Sequence, residues 1–373
     1  MTHIVFCQTL NSQSAASVTM ANYAALLREC GVAVHMTLLD KKRPFRGQFA
    51  QLADGKTLLC KINSDDFRLF FPELQAMKES GRWEHIILCG PFAALHYEKI
   101  MSRERWVDGI ILGYGEQAVI DQCLRLERGE AIDPSIEGAW RLPQGGHAVN
   151  MPVSTFPLTD LPVPARDIEA ADADTIGNLE FSRGCDNRCC YCHMRAYHDL
   201  FGVKRTKKTV DQVMADIERL YALGKRYLIF NDSVFWNGKA DTAEVSELCD
   251  RIIASGMKIY FMVYLSLYRF PDEELLEKMY AAGLIRVFVG VENPNAMVLQ
   301  KIKEQDYPVE LFEKCRRVME RMHISYHIGY IVFYPFSDME QARESIEYLH
   351  RIGKMHRVGI LLERIRLIPN TPI

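Results

Sequence analysis

Four of the eleven cysteines fall within eight residues, in the stretch Ser182-Arg183-Gly184-Cys185-Asp186-Asn187-Arg188-Cys189-Cys190-Tyr191-Cys192. Thiols crowded into one loop ask for a chemical reason. Cys185, Cys189 and Cys192 follow the spacing C-x3-C-x2-C, which lets three thiolates wrap one iron–sulfur cubane. A cubane has four irons and ordinarily takes four thiolates, so a set of three leaves one iron open to chemistry. Gly184 lets the chain turn tightly into the loop. Other uses of these residues stay open. Cys189-Cys190-Tyr191-Cys192-His193 also spells C-x-x-C-H, a haem-attachment pattern that normally goes with export and leaves Cys185 unexplained. Three cysteines with His193 or His198 could hold zinc, although structural zinc sites usually pair two C-x-x-C knuckles and no second one occurs. The thiols could also be inert packing. Cys190, next to Cys189, is expected to point away and pack.

Elements must bring this loop to other groups, and the chain offers two series of them. In the first, apolar runs at Ile4–Cys7, Val32–Leu39, Leu58–Ile62, His85–Cys89 and Gly109–Leu112 alternate with helical patterns, notably residues 15–30 and Glu116–Glu127. Strands alternating with helices imply parallel pairing and right-handed crossovers. Ligands of such sheets bind beyond the strand carboxyl ends, here near Gly90-Pro91 and Gly113-Tyr114-Gly115-Glu116. Residues 150–175 carry Pro152, Pro157, Pro162 and Pro164 with little periodicity and read as a linker. A second alternation follows, with strands at Leu179–Ser182, Arg226–Phe230, Ile259–Val263, Arg286–Val291, His327–Phe333 and Val358–Ile365. Helices lie between them, one ending at Gly224 and others over Asp272–Ala282 and Pro308–Met322. Six β/α units suit an open, partial barrel. The organisation expected is therefore an α/β domain over 1–149, the linker over 150–175, and a partial barrel over 176–373.

Composition narrows the class. A chain of 373 residues with 48% hydrophobic and 25% charged residues is expected to fold into about two domains. Net charge is −3 and basic residues are scattered, so no nucleic-acid footprint is expected. The densest basic cluster, Lys204, Arg205, Lys207 and Lys208, is short and reads as a solvated helix start. No apolar run approaches a membrane span. The N-terminus has neither a basic start nor a long apolar core, so no export leader is expected and the cytoplasm is the default compartment. A disulfide framework is disfavoured there, and the seven dispersed cysteines read as small buried hydrophobes.

The three-cysteine loop after the first strand of a β/α series resembles the radical S-adenosylmethionine (SAM) superfamily. A narrower resemblance, to the cobalamin-binding radical SAM subfamily, covers most of the chain. Its residues are Ser182-Arg183-Gly184-Cys185, Cys89-Gly90-Pro91, Gly113-Tyr114-Gly115-Glu116, Leu161-Pro162-Val163-Pro164-Ala165-Arg166-Asp167, Phe230-Asn231-Asp232-Ser233-Val234-Phe235 and Gly290-Val291-Glu292-Asn293. There are departures. Tyr114 stands where the subfamily has Glu, Tyr334-Pro335-Phe336-Ser337 replaces a Gly-rich turn, and the chain stops at Ile373, where relatives usually continue.

The resemblance implies an N-terminal Rossmann- or flavodoxin-like sheet followed by a partial (β/α)6 radical SAM barrel. Cys185, Cys189 and Cys192 would ligate a 4Fe–4S cluster, and SAM would chelate its fourth iron. Reductive cleavage of SAM would give methionine and a 5′-deoxyadenosyl radical that abstracts hydrogen from an unactivated carbon. Tyr191 would lie near the adenine. Barrel strands place functional residues at their C-termini. On that pattern Asn231 and Asp232 end the second strand, Asp232 receiving the SAM ammonium, and Ser266 meets ribose or carboxylate. Glu292 receives the ribose hydroxyls, and Tyr330 and Val332 meet the adenine through backbone. The competing reading of Asp232 is a cap or turn residue, that of Ser266 a loop serine, and that of Tyr330 and Val332 ordinary core. For Glu292 it is a salt bridge to Arg286 or Arg269. His327 reads as a packed strand residue.

The expected function is cobalamin-dependent methylation or rearrangement of a small molecule or peptide, with an electron donor such as flavodoxin or ferredoxin and without nucleic acid or membrane. The loop Gln8–Ser14 holds no histidine, and His35 and His96 lack the context to cap cobalt, so cobalamin would bind without a protein imidazole. The alternatives are a cobalamin-free front domain, a methylthiotransferase with a second cluster on Cys7, Cys60 and Cys89, and a non-catalytic metal sensor or scaffold.

Overall fold

The computed structural model describes residues 2–7, 17–40, 44–52, 55–63, 67–152, 155–171, 175–303, 309–355 and 364–373. The chain divides into two compact units, Met1–Leu179 with Tyr197–Lys225, and Glu180–Ala196 with Arg226–Ile373. Both are mixed α/β.

Strands of the first unit are β1 (Thr2–Cys7), β2 (Val34–Leu39), β3 (Thr57–Lys61), β4 (His85–Cys89), β5 (Gly109–Ile110), β6 (Gly138–Arg141) and β7 (His147–Asn150). Their order in the sheet is β2-β1-β3-β4-β5-β6-β7. The first five run parallel, as the β/α alternation predicts; β6 and β7 add an antiparallel edge. That hairpin is absent from the sequence reading, although its Gly145-Gly146 turn is a hairpin signal. The helices here are α1 (Val18–Glu29), α2 (Phe45–Ala50), α3 (Phe67–Glu79), α4 (Pro91–Leu95), α5 (Tyr97–Arg103) and α6 (Glu116–Glu127). Parallel strands covered by helices are apolar throughout, and Leu59, Ile87, Cys89 and Ile111 join Tyr23, Leu27, Val119 and Trp140 in one core.

The proline-rich segment is more ordered than expected, with a 3₁₀ turn at Leu158–Asp160 and α7 (Asp167–Ala171). Arg166 anchors it. Its guanidinium donates to both oxygens of Asp216, to Glu169 Oε1 at 2.5 Å and to Asn178 O at 2.7 Å. Asp216 lies on α9 (Val210–Ala222), which follows β8 (Ile176–Leu179), β9 (Ser182–Arg183), α8 (His193–Phe201) and β10 (Thr206–Lys207). Thr209 and Gln212 close the α9 N-terminus as a reciprocal capping box.

In the second unit β11 (Tyr227–Phe230), β12 (Tyr260–Ser266), β13 (Leu284–Glu292) and β14 (Ser325–Tyr330) run parallel and side by side. The helices are α10 (Thr242–Ser255), α11 (Glu273–Ala281), α12 (Ala296–Lys303), α13 (Val309–Arg321) and α14 (Met339–Arg351). Leu228, Phe230, Phe261, Val263, Leu265, Val287, Val289 and Val291 are buried, while the alternating Met262, Tyr264 and Phe288 are half-buried. One sheet face is therefore fully covered and the other opens to an interior. On that open face His327 stacks on Phe288 with centroids 5.2 Å apart. Of the expected sixth strand, residues 356–363 lie outside the described residues; Arg364 bridges Phe333 in parallel.

The single strand expected at Leu179–Ser182 is two short ones, β8 and β9, interrupted at Glu180-Phe181. The two belong to different sheets, so the chain changes partner at that point.

Candidate functional site

Gly184 (φ 82°) turns the chain off β9 into the loop 184–192. Cys185, Cys189 and Cys192 are half-buried there and close enough to perturb one another. Burial pushes the Cys189 thiol up to about 12; the Lys303 ammonium pulls it down, and Cys192, Glu292 and Cys185 push it up again. Burial also pushes Cys192 up to about 11, opposed by the backbone N–H of Met194 at the start of α8. At neutral pH Cys189 and Cys192 hold their protons, and a metal group must displace them.

Cys190 takes no part in this group. It is buried at 6% exposure among Val298, Ile302, Ile331, Tyr334 and Ile365, and its N–H donates to Ile302 O at 2.9 Å. Three sulfurs remain, the donor number that leaves one corner of a cubane open. Among the described residues no group of three or more His, Cys, Asp and Glu is set to hold a single metal ion. Three cysteine thiols in one loop, without a fourth in the group, are the donor set of a cubane with one open corner.

Glu292 ends β13 beside this loop. Its backbone is left-handed (φ 64°), and the β13–β14 register shifts between Gly290 and Glu292. A non-glycine residue persists there only where its surroundings hold it. The side chain folds back over Gly290, where a Cβ would sit 2.5 Å from Glu292 Oε1. Lys303, the last residue of α12, meets Glu292 Oε1 at 3.2 Å and donates to Gly290 O at 3.0 Å. The competing reading of Glu292, an ion pair with Arg286 or Arg269, is replaced by a pair with Lys303 of α12. The Tyr191 hydroxyl also bonds to Glu292; burial first and this carboxylate second raise Tyr191 well above the usual phenol range. Asn293 fixes the following chain, donating to Ile331 O and Ser345 Oγ, each at 3.0 Å.

The remaining candidates are placed as follows. Asn231 is exposed just past β11, and Ser266 is buried at the end of β12 in register with Gly290. The Tyr330 hydroxyl donates to Ser345 O of α14 at 2.9 Å, and Val332 is fully buried. Asp232 is 2% exposed and accepts from Phe181 N at 3.0 Å, from Ser182 N, and from Ser182 Oγ at 2.6 Å. This carboxylate takes up the N–H groups where the chain passes from one sheet to the other. Sequence reasoning passed over Lys303, Asn293 and Ser182. The usable signal for Lys303 was a lysine closing an apolar helix, which needs a partner if buried.

In the first unit Cys60 and Cys89 are fully buried strand residues, and Cys89 Sγ lies 3.7 Å from Met20 Sδ. His35 is exposed on β2, and His96 packs on Phe92 with Nδ1 2.8 Å from Phe92 O. The loop Gln8–Ser14 lies outside the described residues, as does the side chain of Cys7.

Residues 179–349 match the radical SAM superfamily. The chain carries a radical SAM domain. Enzymes of this superfamily work with a 4Fe–4S cluster and SAM. Over its whole length the chain resembles the cobalamin-dependent SAM radical enzyme OxsB, solved with aqua-cobalamin and SAM bound. The TM-score is 0.80 and the identity 16%, and the match covers 59% of that chain. It likewise resembles the radical SAM methyltransferase TsrM from Kitasatospora setae, solved with tryptophan and a SAM analogue, at TM-score 0.75, 17% identity and 74% of that chain. At such identities the likeness speaks for the fold. The hopanoid C-2 methylase of Rhodopseudomonas palustris is 23% identical over 220 residues, 58% of this chain and 40% of the methylase. The chain thus spans well under half the length of that relative. Among the described residues no helix is long and apolar enough to cross a membrane.

Proposed function

We propose that this radical SAM protein cleaves SAM reductively at a 4Fe–4S cluster held by Cys185, Cys189 and Cys192, and methylates or rearranges an unactivated carbon with the help of cobalamin. The observation that carries this reading is the gathering of Cys185, Cys189 and Cys192, all half-buried, in one loop beside Glu292, with Cys190 diverted into packing. The cluster, when bound, supplies the electron that breaks a carbon–sulfur bond of SAM.

The protein's own part is to bind, orient and exclude water. Glu292, held by Lys303 and Tyr191, presents a carboxylate oxygen for ribose hydroxyls. Tyr191 offers a ring for adenine, and Asn231 and Ser266 stand at strand ends around the same opening, whereas Asp232 is taken up by Phe181 and Ser182. Tyr330 and Val332 line it through backbone. The half-buried layer of Tyr264, Phe288 and His327 forms an apolar floor.

The first unit is read as a flavodoxin-like domain, since its parallel strands follow the order 2-1-3-4-5. The second is read as a partial (β/α)6 barrel. Domains over 1–149 and 176–373 joined by a 150–175 linker follow. Cobalamin is assigned to the front domain by its likeness in fold to OxsB, with no protein imidazole on cobalt. The substrate is a small molecule or peptide, the electron donor a flavodoxin or ferredoxin, and the compartment the cytoplasm.

Anaerobic reconstitution tests the whole. About four irons per chain, 5′-deoxyadenosine formed from SAM, and bound corrin support it. About eight irons would favour a methylthiotransferase, and a cluster without SAM turnover would favour a sensor. Strong nitrogen coupling on a cobalt(II) signal that vanishes in His35→Ala or His96→Ala would overturn the imidazole-free cobalt.

A further inference from the structure

Two successive backbone N–H groups, those of Phe181 and Ser182, donate to one buried carboxylate, Asp232, and the Ser182 hydroxyl donates to it as well. Phe181, Ser182 and Asp232 are 0%, 1% and 2% exposed. A strand normally spends such N–H groups on a neighbouring strand. Here a single side chain fifty residues on captures them, at the point where the chain passes from one sheet to another. A buried carboxylate is tolerated only where donors surround it, and charge-assisted bonds of this kind are the strong ones. Beside it Glu180 and Arg183 pair with each other through two bonds of 2.8 Å.

The same connection after β11 touches the cysteine loop a second time. Asn237 Nδ2 donates to Asp186 Oδ2, and the Asn237 N–H is itself fixed by Asp241 Oδ2 at 2.8 Å. One tether therefore lies before Cys185, at residues 181–182, and the other after it, at residue 186. Between them stand only Arg183, Gly184 and Cys185.

We propose that Asp232 is a positioning residue for the metal centre. With Asn237 it brackets Cys185 and sets the direction in which that thiolate is presented, without touching cofactor or substrate. This rests on the reading that Cys185 is a cluster ligand. Groups behind metal ligands commonly govern affinity and electronic properties as much as the ligands do.

The test compares Asp232→Asn, Ser182→Ala and Asn237→Ala with the unaltered chain after anaerobic reconstitution with iron and sulfide. Asn keeps the shape of Asp232 but turns one acceptor into a donor that faces an N–H. Cluster retention against a chelator is expected to fall about tenfold in Asp232→Asn. The EPR signal of the reduced cluster that remains should change its g-values and lose its response to SAM, whereas a merely structural role would lower the melting temperature and leave that signal alone. Ser182→Ala, which removes one bond and keeps both backbone donors, should show the same change in weaker form; it carries the test if Asp232→Asn does not fold. Unaltered iron retention and EPR signal in folded Asp232→Asn, or in Ser182→Ala where only that variant folds, overturn the proposal. Failure of the unaltered chain to bind iron would instead overturn the cluster reading, and loss of iron in Cys185→Ala with none in Asp232→Asn would overturn only the positioning role.

Discussion

Lys303 and Glu292 form an ion pair across 3.2 Å with side chains only 8% and 12% exposed, and the lysine sits one residue after Ile302, whose carbonyl holds Cys190. The end of α12 therefore joins the cysteine loop to the carboxylate at the tip of β13. Removing one partner of a buried pair leaves the other charge uncompensated, a loss of about 3–5 kcal/mol. Lys303→Met is expected to destabilise the protein by that order in urea unfolding. Glu292→Ala leaves the lysine as the uncompensated buried charge and should cost stability of the same order. It should raise the SAM dissociation constant about tenfold to a hundredfold, the worth of one charged hydrogen bond. Titration calorimetry of the reconstituted protein checks this; unchanged SAM affinity in a folded Glu292→Ala would remove Glu292 from the binding site.

The four cysteines divide into three and one, and substitution should reproduce the division. Cys185→Ala, Cys189→Ala and Cys192→Ala are each expected to lose the cluster and 5′-deoxyadenosine formation. Cys190→Ala should keep its iron and lose some stability, about 1 kcal/mol for a small side chain removed from the Val298–Ile302–Ile365 cluster. Iron content per chain decides it. If Cys190→Ala were empty and Cys185→Ala loaded, the ligand assignment would be wrong.

Arg166 offers a prediction away from the chemistry. Its side chain and that of Asp216 are 1% and 2% exposed, whereas the Arg28–Asp167 pair close by in sequence is 36% and 42% exposed. Arg166→Met should cost about 3–5 kcal/mol, since two carboxylates are left buried without a cation. Arg28→Ala should cost less than about 1 kcal/mol. Chemical denaturation of both variants gives the comparison, and equal losses would refute the ranking.

Much of this architecture is legible before any coordinates, where the signal is local. His85–Cys89 is a strand and Glu116–Glu127 a helix with the limits that apolar pattern and flanking glycine indicate. The three-cysteine loop announces itself by spacing. What escapes is nonlocal. At Glu180-Phe181 the chain passes from one sheet to another and Asp232, fifty residues on, takes up its N–H groups; no propensity near residue 180 reveals it. Lys303 replaces Arg286 as the partner of Glu292 because a one-residue bulge turns the carboxylate to another element, and register is a property of paired strands. The β6–β7 hairpin escapes for a different reason: it has a turn signal in Gly145-Gly146, but its strands are four residues each, too short to display a period of two.

Asp232 also makes stability depend on pH in a recognisable direction. Burial raises its carboxyl group, the Ser182 hydroxyl and the N–H groups of Phe181 and Ser182 lower it, Glu180 raises it slightly, and the balance lies at about 7. In the unfolded chain the same group titrates near 4. Between these values the folded protein holds a proton that the unfolded chain has released. Folding stability from this group is therefore greatest at low pH and falls as pH rises toward 7, above which it levels off. The span corresponds to about 4 kcal/mol. Asn at this position cannot titrate. The difference in unfolding free energy between the unaltered protein and Asp232→Asn should thus shift in favour of the unaltered protein as pH drops from 8 to 5. The Glu180–Arg183 pair, present in both, cancels in the comparison. Urea unfolding of the metal-free proteins at the two pH values measures it. A difference independent of pH would show that the three donors keep Asp232 ionised throughout, with its carboxyl near the ordinary range.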